Sequence, residues 1–442
     1  MTLLVSDRGW EDALLPGITE PIAQNIYACN QCGKCMAACP FSLAPQQVMR
    51  LLQLGQVEAS LAHDTTWNCA YCLTCEAVCP KGLSPARLER ELRTLHLKPS
   101  ANGARQDDGH SDGSPAGLDR YYRAHAHRLR AKLFASIHRL SQIGSALAPL
   151  SNWMLNLPGA KLVSHHVLGI HKARSLPAFV RPTFPERFHA RSPRGDGHRG
   201  TVLLFHDTFM DFNYPGTGMA ATEVLEKAGF RVELADMVCC GRPALSKGLV
   251  AEAATQARAN VARLWENARK GLYIVGCEPS CLLMLRDEYP ELVEGPELRE
   301  KARVVAGQAL LIDEFLDMLR VRGELELSFD GTSDKNRAVL FHGHCHQKAV
   351  ADATHSLELL RLAGYRAEMA DAPCCGMAGT YGYEKEHYES SRAAGERALF
   401  PQVRAHPDAD VAVMGASCRQ QIEHFTGRRP RHVAELLREA LP

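Results

Sequence analysis

Two cysteine runs of the same spacing constrain the fold of this chain more than any other feature. Each run follows the pattern C-x2-C-x2-C-x3-C-P, and the residues are Cys29, Cys32, Cys35, Cys39 and Pro40, then Cys69, Cys72, Cys75, Cys79 and Pro80. In runs of this type the thiolates bind [4Fe-4S] clusters, and the fourth cysteine of each run ligates the cluster of the other run. The spacing therefore predicts two [4Fe-4S] clusters in one small domain.

Crossed ligation gives each cluster its own four cysteines. We expect the first cluster on Cys29, Cys32, Cys35 and Cys79, and the second cluster on Cys69, Cys72, Cys75 and Cys39. A pair of zinc sites is the structural alternative, since C-x2-C pairs also form zinc ribbons. Zinc sites normally combine two such pairs, whereas this chain has two runs of four, each followed by a proline. The pattern favours iron–sulfur clusters.

The domain that holds these runs has little apolar sequence of its own. Between the runs, Val48, Leu51, Leu52 and Leu54 predict one short apolar helix. So small a domain buries too little surface to be stable without a metal or a cross-link. We therefore expect cluster binding to be coupled to folding, and the cluster-free domain to be largely disordered.

Charge and the first residues exclude several classes of protein. The chain has 51 lysine and arginine residues against 50 aspartate and glutamate residues, so no overall field favours nucleic acid as a partner. The first residues, MTLLVSDRGWED, lack the basic stretch and long apolar segment of a signal peptide. We expect a cytoplasmic protein with reduced thiols and no disulfide framework. No apolar run reaches the roughly 18 residues that cross a bilayer, so the protein is expected to be soluble or peripheral on the inner face of the membrane.

Composition divides the chain into five parts. The predicted parts are the twin-cluster domain at 20–97, a flexible linker at 98–117, a helical connector at 118–189, and two lobes at 200–320 and 337–442. In the connector, apolar residues recur at helical spacing with basic residues between them, and they are Leu129, Leu133, Ile137, Leu140, Ile143 and Leu147. This pattern predicts one basic amphipathic helix. Docking against a neighbouring domain is favoured over anchoring at a membrane surface, and both remain open.

The sequence repeats itself from Thr201 onward. TVLLFH leads to AGFRVELADMVCCG in the first half and AVLFH leads to AGYRAEMADAPCCG in the second, which places His206 opposite His342. In each half a strand, a helix and a second strand precede the cysteine pair, and a further strand follows it, at 272–275 and 411–414. Alternating strands and helices predict a parallel sheet in each half. The predicted fold is α+β and α/β in several domains, with a helical ferredoxin-like domain followed by two duplicated α/β lobes.

Each lobe contains a Cys-Cys-Gly motif that predicts a further metal or cluster site. The second lobe has four candidate ligands, which are Cys345, Cys374, Cys375 and Cys418. The first lobe has no cysteine from 201 to 238, and its candidates are Cys239, Cys240, Cys277 and Cys281. Cys281 and Cys418 each begin a helix, where the helix dipole favours a thiolate. We expect a third site in lobe two and an incomplete site in lobe one.

Two structural alternatives apply to these motifs. Cysteines are often buried and inert in protein cores, although an adjacent pair at duplicated positions favours metal binding. His342, His344 and His346 follow a strand in FHGHCHQK and are candidates for extra ligands or proton carriers. Three alternating histidines are more typical of a partly solvated turn, which is the interpretation we favour.

These residues resemble a known family, the cysteine-rich CCG-domain iron–sulfur proteins. The family includes heterodisulfide reductase subunits, the small subunit of anaerobic glycerol-3-phosphate dehydrogenase and the glycolate oxidase iron–sulfur subunit. CNQCGKCMAACP and TWNCAYCLTCEAVCPKG resemble its twin ferredoxin segment, whereas VCCGRPALSKG, FHGHCHQK and CCGMAGTYGYE resemble the iron–sulfur half of fused FAD-linked D-lactate dehydrogenases. The resemblance extends over nearly the whole chain.

The resemblance implies an electron-transfer subunit of an oxidoreductase complex. A separate FAD-linked dehydrogenase would oxidise a 2-hydroxy acid or a related alcohol and pass electrons to this chain, which would pass them to an acceptor such as a quinone. The sequence has no dinucleotide-binding glycine fingerprint, so we expect no flavin in this chain.

The chain departs from the heterodisulfide reductases, whose repeats end in C-x-x-C. Cys281 has Glu278 and Met284 three residues away. Cys418 has Gly415 and Gln421 at the same distances. The missing cysteines favour electron relay over thiol–disulfide reduction at a CCG-bound cluster, which remains the alternative function, as does a regulatory redox sensor.

Overall fold

The computed structural model describes residues 26–97, 128–193, 195–329 and 337–442. The chain forms two compact units, Met1–Arg128 and Leu129–Pro442, each with its own core. The predicted linker at 98–117 and residues 118–127 of the predicted connector lie outside the described residues.

The first unit is helical and carries its cysteines around short helices. Its helices are α1 Lys34–Ala38, α2 Pro45–Gln53, α3 Val57–Ala62, α4 Asp64–Asn68, α5 Thr74–Ala77 and α6 Pro85–Leu97. The helix predicted around Val48 is α2, which buries Val48, Met49 and Leu52 against Trp67 and Leu92. Few other apolar side chains join this core, so its small size agrees with the need for metal ligation.

The connector forms several short helices that precede the lobes. They are α7 Arg128–Ala135, α8 Ile137–Ala146, α9 Leu150–Asn156, α10 Pro158–Val163, a π-helical turn Ser164–Leu168, and α11 Phe184–Ala190. The prediction of one continuous helix from Leu129 to Leu147 is therefore wrong. Ser136 breaks it, because its backbone torsions (φ −94°, ψ 16°) are not helical.

The buried face of α8 also differs from the predicted one. Ser141, Gly144 and Ser145 are buried, whereas Leu140 and Ile143 are exposed. The small residues face inward because the chain at 179–180 packs closely against them: a Cβ atom on Gly144 would lie 2.4 Å from the ring of Phe179. The periodicity identified the helix but assigned the wrong face to the core.

In the described residues, each lobe contains one parallel sheet of four strands. The strands of lobe one are β1 Thr201–Phe205, β2 Arg231–Leu234, β3 Ile274–Gly276 and β4 Ala309–Leu311, in the order β2-β1-β3-β4. Those of lobe two are β5 Ala338–His342, β6 Arg366–Met369, β7 Asp410–Val413 and β8 Arg431–His432, in the order β6-β5-β7-β8. The predicted fold class is confirmed, with a parallel sheet of the same topology in each lobe.

Helices connect the strands of both lobes. Lobe one contains α12 Thr208–Phe212, α13 Pro215–Lys227, α14 Arg242–Ser246, α15 Val250–Ala268, α16 Pro279–Asp287, α17 Tyr289–Leu292, α18 Pro296–Gln308 and α19 Ile312–Val321. Lobe two contains α20 Cys345–Val350, α21 Thr354–Leu362, a 3-10 turn Tyr381–Tyr383, α22 Tyr388–Glu396, α23 Leu399–Ala405, α24 Ala416–Thr426 and α25 Val433–Glu439.

The two lobes pack on each other through reciprocal helix pairs. Helix α13 of lobe one packs on α25 of lobe two, and α21 of lobe two packs on α19 of lobe one. One apolar core runs through this interface and includes Leu204 and Phe315 of lobe one with Phe341 and Leu436 of lobe two. The shared core fixes the two lobes, and hence their cysteine motifs, relative to each other.

No helix in the described parts of the chain combines the length and apolar character needed to cross a bilayer.

The packing of α8 gives a test of the corrected connector. Replacing Gly144 by alanine should lower the free energy of unfolding by about 1–3 kcal/mol, because the new methyl group overlaps the Phe179 ring. The matched control is Gly159→Ala in α10, where a Cβ atom meets nothing within 4 Å and alanine favours the helix. Thermal unfolding of both variants measures the difference, and equal melting temperatures would contradict the observed face of α8.

Candidate metal centres

The first predicted cysteine set surrounds one pocket in the first unit. Cys29, Cys32, Cys35 and Cys79 all line this pocket, whose volume is about 370 Å³ with its solvent-open part included. Cys79 comes from the second run, so the backbone brings the fourth cysteine of one run to the other three, as the spacing predicts. Four sulfur atoms around one pocket fit the thiolate set of a [4Fe-4S] cluster.

The second predicted set is more buried, since three of its four cysteines, Cys39, Cys72 and Cys75, are buried. Cys39 is electrostatically coupled to Cys72, Cys72 to Cys75, and Cys75 to Cys69. Burial raises the pKa of Cys39, and it raises the pKa values of Cys69 and Cys75 well above the usual thiol value. Buried neutral thiols in one place fit a cluster, because iron replaces their protons and neutralises the thiolates.

Both runs use the same unusual backbone around their cysteines. Gln31 and Gly33 have φ values of 60° and 76°, and the matching Tyr71 and Leu73 have φ values of 55° and 59°. Two left-handed residues per run turn the chain around the enclosed space. The Tyr71 amide donates a hydrogen bond to Cys69 Sγ at 3.4 Å, which favours a thiolate there. Non-glycine residues in this conformation cost on the order of 1 kcal/mol each, which ligation has to offset.

A buried acid lies beside the second set, and sequence reasoning missed it. Glu89 on α6 is fully buried and acts on Cys39, Cys69 and Cys75. Burial raises its pKa to about 7, although Arg93 and the contact with Cys69 lower it. The only signal in the sequence is an acid on the apolar face of a helix, which is a weak signal without the fold.

The sheet register shows which residues of the two lobes correspond. Leu203 pairs with Ile274 in lobe one, and Leu340 pairs with Val411 in lobe two. Phe205 therefore matches His342, and the pairing of His206 with His342 that the sequence suggested is wrong by one residue. Asp207 and His344 cap the following helices through their side chains, which supports the same alignment.

The four predicted residues of lobe two lie together and are buried. Cys375 is hydrogen-bonded to both Cys374 and Cys418, and Cys345 acts electrostatically on Cys418. The amide of Gly376 donates to Cys374 Sγ at 3.3 Å. The structure thus brings all four candidates to one site at the carboxyl ends of β5 and β7.

His342 also faces this site, contrary to the prediction of a solvated turn. Its ring is fully buried, and neither nitrogen has a hydrogen-bond partner within the described part of the chain. One ring nitrogen lies within 4.8 Å of the sulfur atoms of Cys375 and Cys418. An orphaned imidazole among thiols fits a site built around a metal or a cluster. His344 instead caps α20, where it accepts a hydrogen bond from the His346 amide.

Lobe one has three cysteines and a threonine at the corresponding place. Cys240 is hydrogen-bonded to Cys239 and Cys281, and Cys239 is hydrogen-bonded to Thr208. Thr208 is the residue that matches Cys345. Its hydroxyl lies 3.0 Å from His138 Nδ1, so a connector helix also reaches this site. A one-residue shift in the repeat alignment would have identified Thr208 from the sequence.

Cys277 does not belong to this group. It matches Met414 of lobe two and packs in the apolar core shared by the lobes, whereas Cys239, Cys240 and Cys281 lie in a different core. Its carbonyl oxygen lies 3.1 Å from His432 Nε2 of lobe two. Cys277 therefore has a packing role at the interface.

The predicted thiolates at the starts of α16 and α24 are wrong for the metal-free protein. A hydrogen bond with Cys240 lowers the pKa of Cys281, but burial and the charges of Asp207 and Glu278 raise it to about 11. A hydrogen bond with Cys375 lowers the pKa of Cys418, but burial and the charges of Cys345, Cys374 and Glu278 together raise it. A helix dipole contributes too little to overcome burial among other acidic groups.

One carboxylate joins the helices that carry Cys281 and Cys418. Glu278 caps α16 through Ser280, and its second oxygen accepts the Ala416 amide of α24 at 2.7 Å. Burial and the charge of Glu278 raise the pKa of Asp207 to about 7, because the ionised form of one acid disfavours the ionised form of the other. A pocket of about 320 Å³ lies beside them at the lobe junction. The two cysteine sites therefore lie on either side of the same buried carboxylate, Glu278.

Two family models match the chain. A 4Fe-4S dicluster domain matches residues 26–84, and a cysteine-rich domain matches residues 203–286. The first match contains all eight cysteines of the two runs, and the second contains the cysteines of lobe one. Iron–sulfur clusters are therefore cofactors of this chain.

Several curated proteins are similar over long stretches. A subunit of the anaerobic glycerol-3-phosphate dehydrogenase of Escherichia coli (strain K12) is 30% identical over 319 residues, which is 71% of this chain and 77% of the relative. Lactate utilization protein A of Geobacillus kaustophilus (strain HTA426) is 33% identical over 190 residues, 41% of this chain and 73% of the relative. D-2-hydroxyglutarate dehydrogenase of Escherichia coli (strain K12) is 25% identical over 339 residues, 73% of this chain but only 32% of that relative. The family resemblance read from the motifs is confirmed.

The glycines of the two Cys-Cys-Gly motifs give a matched test of site geometry. Gly376 and Gly241 have φ values of 90° and 92°, so alanine is strained at both positions. At 376 the new Cβ would also lie 2.2 Å from the Ser391 carbonyl oxygen, whereas at 241 its nearest neighbour is a side-chain atom at 3.2 Å. We expect Gly241→Ala to cost about 1–2 kcal/mol and Gly376→Ala clearly more. Thermal unfolding checks this order, and an equal loss for both variants would show that the backbone contact at 376 is wrong.

Proposed function

We propose a function for this chain on the premise that it belongs to the family of iron–sulfur proteins that includes the matched subunit of anaerobic glycerol-3-phosphate dehydrogenase. The chain relays electrons from an FAD-linked dehydrogenase, whose substrate is a 2-hydroxy acid or a related alcohol, to a downstream acceptor such as a quinone. It acts as a non-flavin subunit of an oxidoreductase complex.

The observation that carries the proposal is the presence of three complete four-cysteine groups. The first unit has two groups whose members come from both runs, and lobe two has the third. Two groups would hold [4Fe-4S] clusters, and the third would hold a further cluster or metal. Each cluster supplies one-electron chemistry when bound. The residues of the chain supply ligands, bury the sulfur atoms and exclude water.

The similar proteins support a dehydrogenase partner. One is named as a subunit of a glycerol-3-phosphate dehydrogenase, and another, a D-2-hydroxyglutarate dehydrogenase, is about three times as long as the part that this chain matches. The matched part of that enzyme corresponds to most of this chain. About two thirds of that enzyme lie outside the match, and an FAD-linked dehydrogenase partner would fit the role of oxidising the substrate.

Side chains near the cysteine sites favour relay over thiol–disulfide reduction. Met284 and Gln421 lie three residues after Cys281 and Cys418, where a C-x-x-C motif would place another thiol. Both are fully buried, and Gln421 is hydrogen-bonded to Ser391. Each lies close to the glycine of its motif, at 3.2 Å from the place of a Cβ atom. Neither residue can bind iron as a thiolate, so the ligand set that a disulfide-reducing cluster of that type uses is incomplete.

We further propose that the connector binds a membrane, where a quinone is available. Thirteen large apolar side chains in its described part are more than a third exposed, and they are Leu129, Leu140, Ile143, Leu147, Leu150, Trp153, Met154, Leu155, Leu157, Leu162, Val163, Val167 and Leu176. Helices α9 and α10 bury no residue at all among those described. An exposed apolar surface of this extent indicates a contact with another apolar phase.

Charge favours an anionic bilayer as that phase. From 128 to 185 the sequence has eight lysine and arginine residues and no aspartate or glutamate. Basic side chains beside short amphipathic helices with exposed Trp, Leu and Met are typical of helices that lie in the interface of a membrane. The corrected face of α8 agrees with this role, because its leucine and isoleucine side chains point away from the protein.

The iron content of cysteine variants tests the relay. We expect anaerobically prepared protein to hold about eight irons on the two runs and additional iron in lobe two. Cys375→Ser should remove the additional iron and abolish dye reduction driven by the dehydrogenase partner. The matched change Cys240→Ser in lobe one should keep both, at a cost on the order of 1 kcal/mol in stability. Equal loss of iron and activity in both variants would mean that the lobes are equivalent, and zinc without acid-labile sulfide would refute the cluster assignment altogether.

Sedimentation with phospholipid vesicles tests the membrane surface. The triple change Leu150→Ser, Trp153→Ser and Met154→Ser should weaken binding to vesicles with anionic lipid by at least about tenfold, since each buried large apolar side chain contributes roughly 1.5–3 kcal/mol. The control is Val321→Ser with Leu362→Ser, which removes two exposed apolar side chains outside the connector. If the control weakens binding as much as the triple change, the connector is not the membrane surface.

A further inference from the structure

Lys348 lies beside all four cysteines of lobe two. It is on α20, one turn after Cys345, and its ammonium group donates a hydrogen bond to the carbonyl of Ala372, two residues before Cys374. Each of the four cysteines acts electrostatically on it. A lysine is thus fixed by a backbone hydrogen bond next to the thiols and has no role in ligation.

The duplicated position in lobe one carries the opposite charge. Position 348 of α20 matches Asp211 of α12, since both are the fourth residue of the helix that follows the first strand of the lobe. Asp211 lies beside His206, with Nδ1–oxygen distances of 2.9 and 3.0 Å. The acids Asp207 and Glu278 also act on Cys281. Divergence of the two lobes has therefore placed a lysine beside the cysteines of lobe two and an aspartate at the matched position of lobe one.

We propose that Lys348 raises the reduction potential of the cluster in lobe two. The inference rests on the proposed third cluster and adds to it the residue that tunes the reduction potential of that cluster. Lys348 acts on the cluster through its charge and is not a ligand.

The physical basis is the change in charge on reduction. One electron, which the proposed dehydrogenase partner supplies, would enter the cluster of lobe two and make it more negative by one unit; no bond forms and no proton has to move. A fixed positive charge stabilises the more negative form and raises its potential. Because the site is buried, solvent screens this charge much less than it would at the surface.

Neighbouring groups do not replace this charge. His344 accepts the His346 amide through Nδ1, so that nitrogen carries no proton, and the buried His342 ring has no hydrogen-bond partner among the described residues to stabilise a second proton. Glu278 acts on Cys418 from the lobe junction and has the opposite effect to Lys348. Lys348 keeps the Ala372 carbonyl as a hydrogen-bond acceptor, and an anionic cluster at the same place would favour its protonated form.

The test is an anaerobic redox titration followed by electron paramagnetic resonance. The signal of lobe two is identified first as the one that Cys375→Ser removes. Lys348→Met and Lys348→Gln should then shift its midpoint to a more negative value by about 59 mV or more, which corresponds to about a tenfold change in the one-electron equilibrium. Lys348→Arg keeps the charge and should restore a midpoint near that of the unchanged protein. The control Lys227→Met removes an exposed lysine of lobe one and should leave the midpoint unchanged.

Each outcome supports or overturns the proposal. A negative shift in both neutral variants with rescue by arginine, at unchanged iron content, supports it. Equal midpoints in all Lys348 variants overturn it and leave the third cluster in place. A shift that arginine does not rescue assigns Lys348 a packing role and also overturns it. If the unchanged protein gives no signal that Cys375→Ser removes, the proposed third cluster is absent. The iron content shows this independently.

Discussion

The burial of cysteine sulfur atoms next to one another is the constraint on which the rest of this structure depends. Thiols in a low-dielectric site hold their protons, and the pKa values of Cys69, Cys75 and Cys375 are raised well above the usual thiol value. Iron replaces those protons and neutralises several thiolates at once, so ligation stabilises an arrangement that is otherwise unfavourable. Ligation also accounts for the left-handed backbone at Tyr71 and Leu73. It likewise accounts for the buried ring of His342, which has no hydrogen-bond partner among the described residues.

Ligand spacing was the most reliable information in the sequence, because it acts over a few residues. The pattern of the two runs predicted a group that joins Cys79 to the first three cysteines, and the structure places all four around one pocket. The parallel sheets were also predictable, since strand, helix and strand alternate twice with the same motif between them. Both patterns are local and are repeated in the chain.

The errors arose where the outcome depends on distant contacts. The face of α8 is set by Phe179, some 35 positions after Gly144, and no periodicity within the helix reports that contact. The raised pKa of Cys281 results from burial and from Asp207, far away in sequence, rather than from its own helix. The shift of one residue between His206 and His342 came from matching letters, whereas hydrogen-bond register decides which residues correspond.

The duplication explains why the two lobes can share a fold and differ in chemistry. The shared core fixes the strand ends of both lobes, so substitutions at the first turn after β1 and β5 change a site without changing the sheet. Cys345 corresponds to Thr208 and Lys348 to Asp211, which removes one ligand and reverses one charge in the same turn. Each change alone would weaken an anionic cluster in lobe one, and together they act in the same direction. Loss of the ligand removes the selection for a compensating cation, which agrees with the aspartate at position 211.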